Sequence, residues 1–430
     1  MKKLLIITYY WPPAGGPGVQ RWVKLSKYLS KLGYQCYVVT VDEQHASYPT
    51  TDASLQNEID TSIKVTKTKS FEVLKIFSSL FKKEKVPYAG IPDKDKMSFV
   101  GRLALYVRSN FFIPDARVGW NKYALKACEE IISREKIDVI ITTSPPHSTQ
   151  LIGLVLKKKF KNIKWLADLR DPWTDIYYYE KLSHTNASKQ KDLSLERQVL
   201  EQADGAITVS ADLKRLFLKK SDKISESKIF VIPNGFDEDD FTNAKSLANK
   251  EFTIVHTGTI NSNYNIQGFI KAINDLQLDQ DFKIHFIGNV DTFIKQQLQN
   301  QVKKSVSFTP YVAHHDAIKF MCNADLLLLA IPDNAQNKGI LTGKIFEYLA
   351  SQKPILCLGP IDGDAAQIIN DCKAGQVFEF MDDAKIASYI TEVYNLWKQN
   401  STTQLQSTIY KKYSRKELAK QFADLIEGVK

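Results

Sequence analysis

Short, continuously apolar runs alternate along the whole chain with stretches in which apolar residues recur every three or four positions. That alternation is the signature of parallel strands joined by helical crossovers. In the first half the strand-like runs are LLIITYY (4 to 10), CYVVTV (36 to 41), DVIITTS (138 to 144), KWLADL (164 to 169), AITVS (206 to 210) and IFVI (229 to 232). Most are too uniformly apolar to leave one face in water, which predicts strands covered on both sides. The first crossover is explicit. After WPPAGGPG, Val19, Trp22, Leu25, Leu29 and Leu32 keep a helical spacing that stops at Gly33, so a strand, a glycine-rich turn and a helix follow one another. A second series runs through FTIVHTGTI (252 to 260), FKIHFIG (282 to 288), VSFTPYV (306 to 312), ADLLLLAI (324 to 331), PILCLG (354 to 359) and GQVFEF (375 to 380). The expected fold is therefore α/β, with two Rossmann-like, doubly wound parallel-sheet domains at residues 1 to 232 and 252 to 413. The acid- and turn-rich stretch 233 to 251 forms the hinge. The final helix, 414 to 430, places Leu418, Phe422 and Leu425 on one face and is expected to pack back on the first domain.

A chain of 430 residues suits two domains. With 43% hydrophobic and 25% charged residues it should fold rather than stay disordered. No run approaches the ~18 apolar residues of a membrane span, and the amino-terminal run lacks a cleavage site, so it reads as a buried strand. Cys36, Cys128, Cys322, Cys357 and Cys372 are scattered and odd in number, which points to a reducing, cytoplasmic compartment. CxxC and HExxH are absent and the histidines lack ligand spacing, so no metal site is expected. Of the net charge of +10, +7 lies between Lys64 and Arg108, where 11 Lys/Arg face 4 Asp/Glu. Within it, FEVLKIFSSLFKKEK (71 to 85) interleaves lysines with Phe71, Leu74, Phe77, Leu80 and Phe81. This is the pattern of a helix that meets anionic lipid, or of an amphipathic helix packed on its own domain. No nucleic-acid-binding motif accompanies the charge, so no nucleic-acid partner is expected.

Four segments at the carboxyl ends of predicted strands, where open parallel sheets bind ligands, carry candidate chemistry. In the first, Gly15, Gly16 and Gly18 precede a helix, so backbone N–H groups can face a phosphate or sugar; a plain tight turn is the alternative. The second brings His147 of TSPPHSTQLIGL together with Asp168, Arg170, Asp171 and Trp173 of WLADLRDPWTD. An aromatic ring can stack on a pyranose while carboxylates accept hydroxyl protons, although Arg170 pairing with either aspartate would also fix a loop. In the third, TGKIFEYLASQKPIL, Lys344 and Glu347 share a helical face near the positive helix end, suiting a diphosphate and a ribose diol, or forming a surface ion pair. The fourth, GPIDGDAAQIIN, is a glycine turn with Gly363 and Asp364 at a helix start, where the aspartate can simply cap.

The chain resembles the retaining glycosyltransferases of family 4 over nearly its full length. The resemblance is carried by YYWPPAGGPG, NFFIPDARVGW, DLRDPW, VIPNGFDEDDF, HTGTI with its Gly258, and GKIFEYLASQKPI, in that order. It implies a GT-B architecture, with an acceptor side in the first domain, a nucleotide-sugar donor side in the second and a cleft between them. It also implies a role in bacterial capsule, exopolysaccharide or lipopolysaccharide assembly, on a glycan or polyprenyl-linked acceptor at the inner face of the plasma membrane. By the same resemblance Gly15 and Gly16 lie near the donor phosphates or sugar, Lys344 near the diphosphate and Glu347 on the ribose, while residues 168 to 171 line the acceptor and sugar side. Two departures stand out. Relatives often carry a glutamate eight positions before the one matched by Glu347, where this chain has Gly339, and an Arg and a Lys where NSNYNIQ (261 to 267) has neither; Lys338 and Arg170 are candidate substitutes.

In a retaining enzyme without metal or other cofactor, fixed cations and helix ends must stabilise the departing diphosphate. Lys344 fits that task, with Asp171 as a candidate helper. The rival readings are a metal-dependent transferase using the Asp362/Asp364 or Asp93/Asp95 pair, a nucleotide-sugar epimerase of the same architecture, and a silent sugar-nucleotide-binding scaffold.

Overall fold

The structure is a computed structural model that describes residues 1–72, 97–242, 249–278, 282–399 and 407–428. The chain divides into two compact units, Met1–Pro233 with Leu418–Lys430, and Asn234–Glu417. In the first unit the strands are β1 (Lys3–Ile7), β2 (Gln35–Val41), β3 (Lys64–Thr68), β4 (Val139–Ser144), β5 (Lys164–Leu169), β6 (Gly205–Thr208) and β7 (Ile229–Val231). They form one sheet in the order β3-β2-β1-β4-β5-β6-β7, every neighbouring pair parallel. The helices are α1 (Pro17–Lys31), α2 (Phe99–Phe111), α3 (Asn121–Glu135), α4 (Ser148–Lys159), α5 (Asn186–Gln202) and α6 (Ala211–Leu218). One face of the sheet packs around Trp120, Ile140 and Trp165. The other packs under α1, where Trp22, Leu25 and Leu29 meet Leu418, Phe422 and Leu425 of the final helix. Phe422 lies edge-on to Trp22 at 5.5 Å. Each such fully buried side chain contributes roughly 1.5–3 kcal/mol.

The second unit repeats the plan. Its strands β8 (Phe252–Thr257), β9 (Phe282–Ile287), β10 (Ser305–Thr309), β11 (Leu326–Ala330), β12 (Ile355–Leu358) and β13 (Gly375–Phe378) are ordered β10-β9-β8-β11-β12-β13, again parallel throughout. Its helices are α7 (Gln267–Asp275), α8 (Thr292–Gln301), α9 (His314–Cys322), α10 (Gly343–Ser351), α11 (Asp364–Asp371) and α12 (Asp383–Lys398), and α13 (Arg415–Gly428) is the final helix. In both sheets the chain order reverses beside the first strand, between β1 and β4 and between β8 and β11. At such a switch point the loops diverge above and below the sheet and leave a crevice at the carboxyl ends of the strands.

One strand, β3, has no counterpart in the apolar pattern. Its sequence is KVTKT, with Lys64 and Lys67 exposed. Among the described residues it pairs only with β2, and an edge strand needs no apolar run and is protected by lysines. All five cysteines are buried and unpaired. Burial pushes their thiols up, to about 11 for Cys36 and Cys372 and about 12 for Cys357. Among the described residues, no helix is long and apolar enough to cross a membrane. The basic, phenylalanine-rich segment 71 to 85 lies outside the described residues from position 73 onward.

Candidate functional site

The second unit concentrates its chemistry at the β8/β11 switch point. Beyond β8, Gly258 adopts φ +97°, a left-handed conformation that favours glycine, and its N–H donates to the Ile287 carbonyl at 2.7 Å. A Cβ at Gly258 would stand only 3.2–3.4 Å from Cδ, Cε and Nζ of Lys344. The bare backbone therefore lets the lysine stem lie flat across the turn. Lys344 is the second residue of α10. Its Nζ donates to the Thr259 carbonyl at 3.3 Å, lies 3.5 Å from Nε2 of His256 and sits 5.9 Å from the centre of the Tyr264 ring. Burial lowers the Lys344 ammonium to about 8, against the pull of Glu347.

His256, inside the HTGTI segment, is one of the residues at this site that the sequence did not single out. It is buried, and its Nδ1 stands 2.9 Å from the Leu328 carbonyl, so Nδ1 carries the proton and Nε2 offers a lone pair to Lys344. Burial, and secondarily the charge of Lys344, drive its pKa far down. The ring stays neutral and accepts from the ammonium rather than repelling it. Tyr264 belongs to the stretch that lacks the expected Arg and Lys, and it presents an aromatic face to Lys344 instead.

Glu347, one turn along α10, accepts from Nε2 of His314 at 2.9 Å, and Nδ1 of His314 lies 4.0 Å from Asp240. Burial disfavours the charged imidazole, yet the hydrogen bond and charge of Glu347, with the charge of Asp240, outweigh it and raise the His314 pKa above its ordinary value. A histidine with a raised folded pKa stabilises the fold fully below the unfolded value of about 6.5 and loses that contribution as pH rises through the folded one. The stability difference between wild type and Glu347→Gln, measured by urea unfolding, is therefore expected to be largest below pH 6 and to shrink as the solution becomes alkaline. A difference independent of pH would refute the pairing.

Farther along the strand ends, Gly363 precedes α11, and a Cβ there would meet Pro360 and the Lys338 carbonyl. Asp364 is buried at the first position of α11. Asp362 pairs with Lys338, so the lysine considered as a substitute cation is already bound to a carboxylate. Asp93 and Asp95 lie outside the described residues. Among the described residues, no group of three or more His, Cys, Asp or Glu is placed to hold a metal ion. A concavity lined by Thr259, Asn261, Gly288, Asn289, Lys295 and Pro310 opens beside Gly258.

In the first unit, Gly16 takes φ +107° as the residue before α1, Pro17 opens the helix, and Gly15 donates to the Thr50 carbonyl at 3.0 Å. Gly18 is a glycine for a packing reason: a Cβ would lie 2.0 Å from the Arg170 guanidinium, which rests on it. Nε of Arg170 donates to the Ser144 carbonyl at 3.0 Å. The segment DLRDPW then departs from the expected acceptor surface. Asp168 is fully buried and accepts from Arg21 (3.1 Å), Trp22 (2.8 Å) and Thr143 (2.8 Å). It organises the unit's interior rather than facing a ligand. Trp173 is also buried, with its Nε1 donating to Asp192 at 2.8 Å and its face covered by His147 at 5.1 Å and 11°; it is not an open platform for a sugar. Burial and the charge of Arg170 drive His147 down to about 3, so it is neutral, and its Nδ1 is buried without a partner. Asp171 remains partly exposed. Burial raises its pKa, Arg170 opposes that, and Asp168 adds to it.

The sequence profile of glycosyltransferase family 4 matches residues 18–240, just over half of the chain. The chain belongs to this family. The profile of glycosyl transferases group 1 matches residues 237–424 of the same glycosyltransferase. Its fold, GT-B, is that of a glycosyltransferase from Rickettsia africae ESF-5, at 16% identity and TM-score 0.64, over 100% of this chain and 98% of that one. Anabaena HepE in complex with UDP-glucose aligns at 13% identity and TM-score 0.62, over 99% and 100%. WaaG, a glycosyltransferase involved in lipopolysaccharide biosynthesis, aligns at 13% and 0.56, over 99% and 100%. Comparison with curated protein sequences gives no significant match.

Proposed function

We propose that this glycosyltransferase moves a sugar, with retention, from a nucleotide-sugar donor to a glycan or lipid-linked glycan acceptor in bacterial surface-polysaccharide assembly. The observation that carries the reading is the Lys344 amine, held at the start of α10 across the bare backbone of Gly258. A diphosphate leaving a sugar gains negative charge as the glycosidic bond breaks, and a fixed cation beside a helix N-terminus stabilises that charge most at the transition state. The departing phosphate oxygen can take the acceptor proton on the same face of the sugar, so the route asks little of a protein base; Asp171 is the candidate helper. The UDP-glucose complex of HepE and the lipopolysaccharide role of WaaG, both of the same fold, support the donor class and the pathway.

The test is product analysis with a panel of nucleotide sugars, with and without acceptor. Transfer to acceptor with an unchanged anomeric configuration supports the proposal. Interconversion of the donor sugar without acceptor would make the protein an epimerase, and donor binding without turnover would make it a scaffold. Because the phosphate charge is met here by lysine and helix, turnover is expected to stay nearly unchanged in excess chelator. Activity abolished by chelator and restored by manganese would overturn this and revive a metal-binding Asp362/Asp364 pair. The same reading places the enzyme in the cytoplasm, peripheral at the inner face of the plasma membrane, where anionic lipid meets the basic region between Lys64 and Arg108.

A further inference from the structure

His314 opens α9 at a place where a positive charge is disfavoured. The first turn of a helix carries partial positive charge and suits an acid, and the charge of Arg415 acts in the same sense. Two carboxylates from other elements answer it. Nε2 stands 2.9 Å from Oε1 of Glu347 on α10, and Nδ1 lies 4.0 Å from Asp240 in the short helical turn Glu238–Phe241. Among the described residues, Glu347, Asp240 and Arg415 are the charged groups that face the ring; on its own helix, His315 and Asp316 pair with each other instead. A charged ring donates to both acids at once, whereas a neutral ring that serves Glu347 through Nε2 turns the Nδ1 lone pair toward Asp240. The charged form therefore fixes Oε1 of Glu347 and leaves the carboxylate able to accept from a diol.

We propose that His314 is a positioning residue for the nucleotide: its imidazolium, bridging Glu347 and Asp240, aims the Glu347 carboxylate at the ribose diol and screens it from the diphosphate, so that nucleotide and proton bind cooperatively. It rests on the nucleotide-sugar donor proposed above, with the ribose at Glu347. A diphosphate arriving beside Lys344, one turn away on α10, meets the uncompensated charges of Glu347 and Asp240 when the ring is neutral. When the ring is charged, the phosphates are attracted to it. Coupling between two ligands is reciprocal, so the nucleotide holds the proton on as firmly as the proton holds the nucleotide. The ring of the free enzyme already titrates above its ordinary value. Affinity is then full while that ring is charged, falls as pH rises through its value, and levels off where the ring is neutral in both states. Within the falling range, each nucleotide bound draws part of a proton from solution.

The test is calorimetric binding of UDP, GDP, ADP and dTDP to the full chain between about pH 6 and 9, in buffers of different ionisation heat. Lys344, lowered to about 8, titrates in the same range, so the readout is the ratio of wild type to His314→Gln, which keeps a donor for Glu347 but cannot take up a proton. That ratio should favour wild type by about fivefold or more at the acid end, the low end of usual couplings, and approach one at the alkaline end. His314→Ala, without a donor, should bind more weakly than His314→Gln throughout, and Asp240→Asn should move the fall in affinity to lower pH. If none of the four nucleotides binds, or Glu347→Gln binds as tightly as wild type, the donor placement falls and the role of His314 with it. If Glu347→Gln binds weakly while wild type, His314→Gln and His314→Ala share one affinity and one pH dependence, only the role of His314 falls. Equal proton uptake by wild type and His314→Gln overturns the coupling even where His314→Ala fails to fold.

Discussion

Replacing Lys344 by alanine is expected to lower turnover by roughly 10²–10³-fold, the usual loss when one preorganised donor to a developing oxyanion is removed, and to weaken donor binding as well. The contact between an ammonium and a diphosphate strengthens as the leaving group gains charge, so the rate falls more than the affinity. The geometry adds a reason for a large effect. His256, Thr259 and Gly258 already hold the amine in place, and little reorganisation is needed when charge appears. Glu347→Gln is the comparison. On the proposed reading it removes the anionic acceptor for two ribose hydroxyls, and it should then reduce nucleotide affinity by about tenfold while sparing the rate. If Lys344 and Glu347 were only a surface pair, both variants would show wild-type kinetics and stability changes below about 1 kcal/mol. Nucleotide affinity and single-turnover rate for the two variants separate these outcomes.

Asp168→Ala is expected to destabilise the first unit by about 3–5 kcal/mol, the cost of leaving a buried partner charge uncompensated. Both side chains of the Arg21–Asp168 pair are inaccessible to solvent. Arg21 also donates to the carbonyls of Pro233 (2.6 Å) and Ile232 (2.9 Å), and Trp22 and Thr143 donate to the aspartate. Removing the carboxylate therefore strands several donors at once. Urea unfolding followed by the fluorescence of the buried tryptophans measures the loss. A change below about 1 kcal/mol, the range of exposed pairs, would show that the network is not holding the unit together.

The fold was legible in the sequence because its central strands are buried on both faces and read as apolar runs. β5 was located to the residue, and the glycine turn before α1 follows from chemistry local to those positions. β3 was missed because an edge strand needs no apolar run. Which residues of the candidate site share an element was legible only where they are close in sequence. Lys344 and Glu347 are three residues apart, so helical spacing sufficed, whereas His256 and His314 acquire their meaning from α10 across the fold. Asp168 and Trp173 show the converse failure. Acids and an aromatic beside a strand end suggest a sugar surface, but residue type does not reveal that Trp22, Arg21 and Asp192 have already claimed them.

The buried cysteines make the chain its own reporter of opening. A thiol held away from water and above its ordinary pKa is a poor nucleophile, so an alkylating reagent reaches it chiefly when the surrounding structure gives way. Cys36 and Cys128 lie in the first unit and Cys322, Cys357 and Cys372 in the second. The order in which these five positions gain mass under mild denaturant would record which half of the enzyme loosens first.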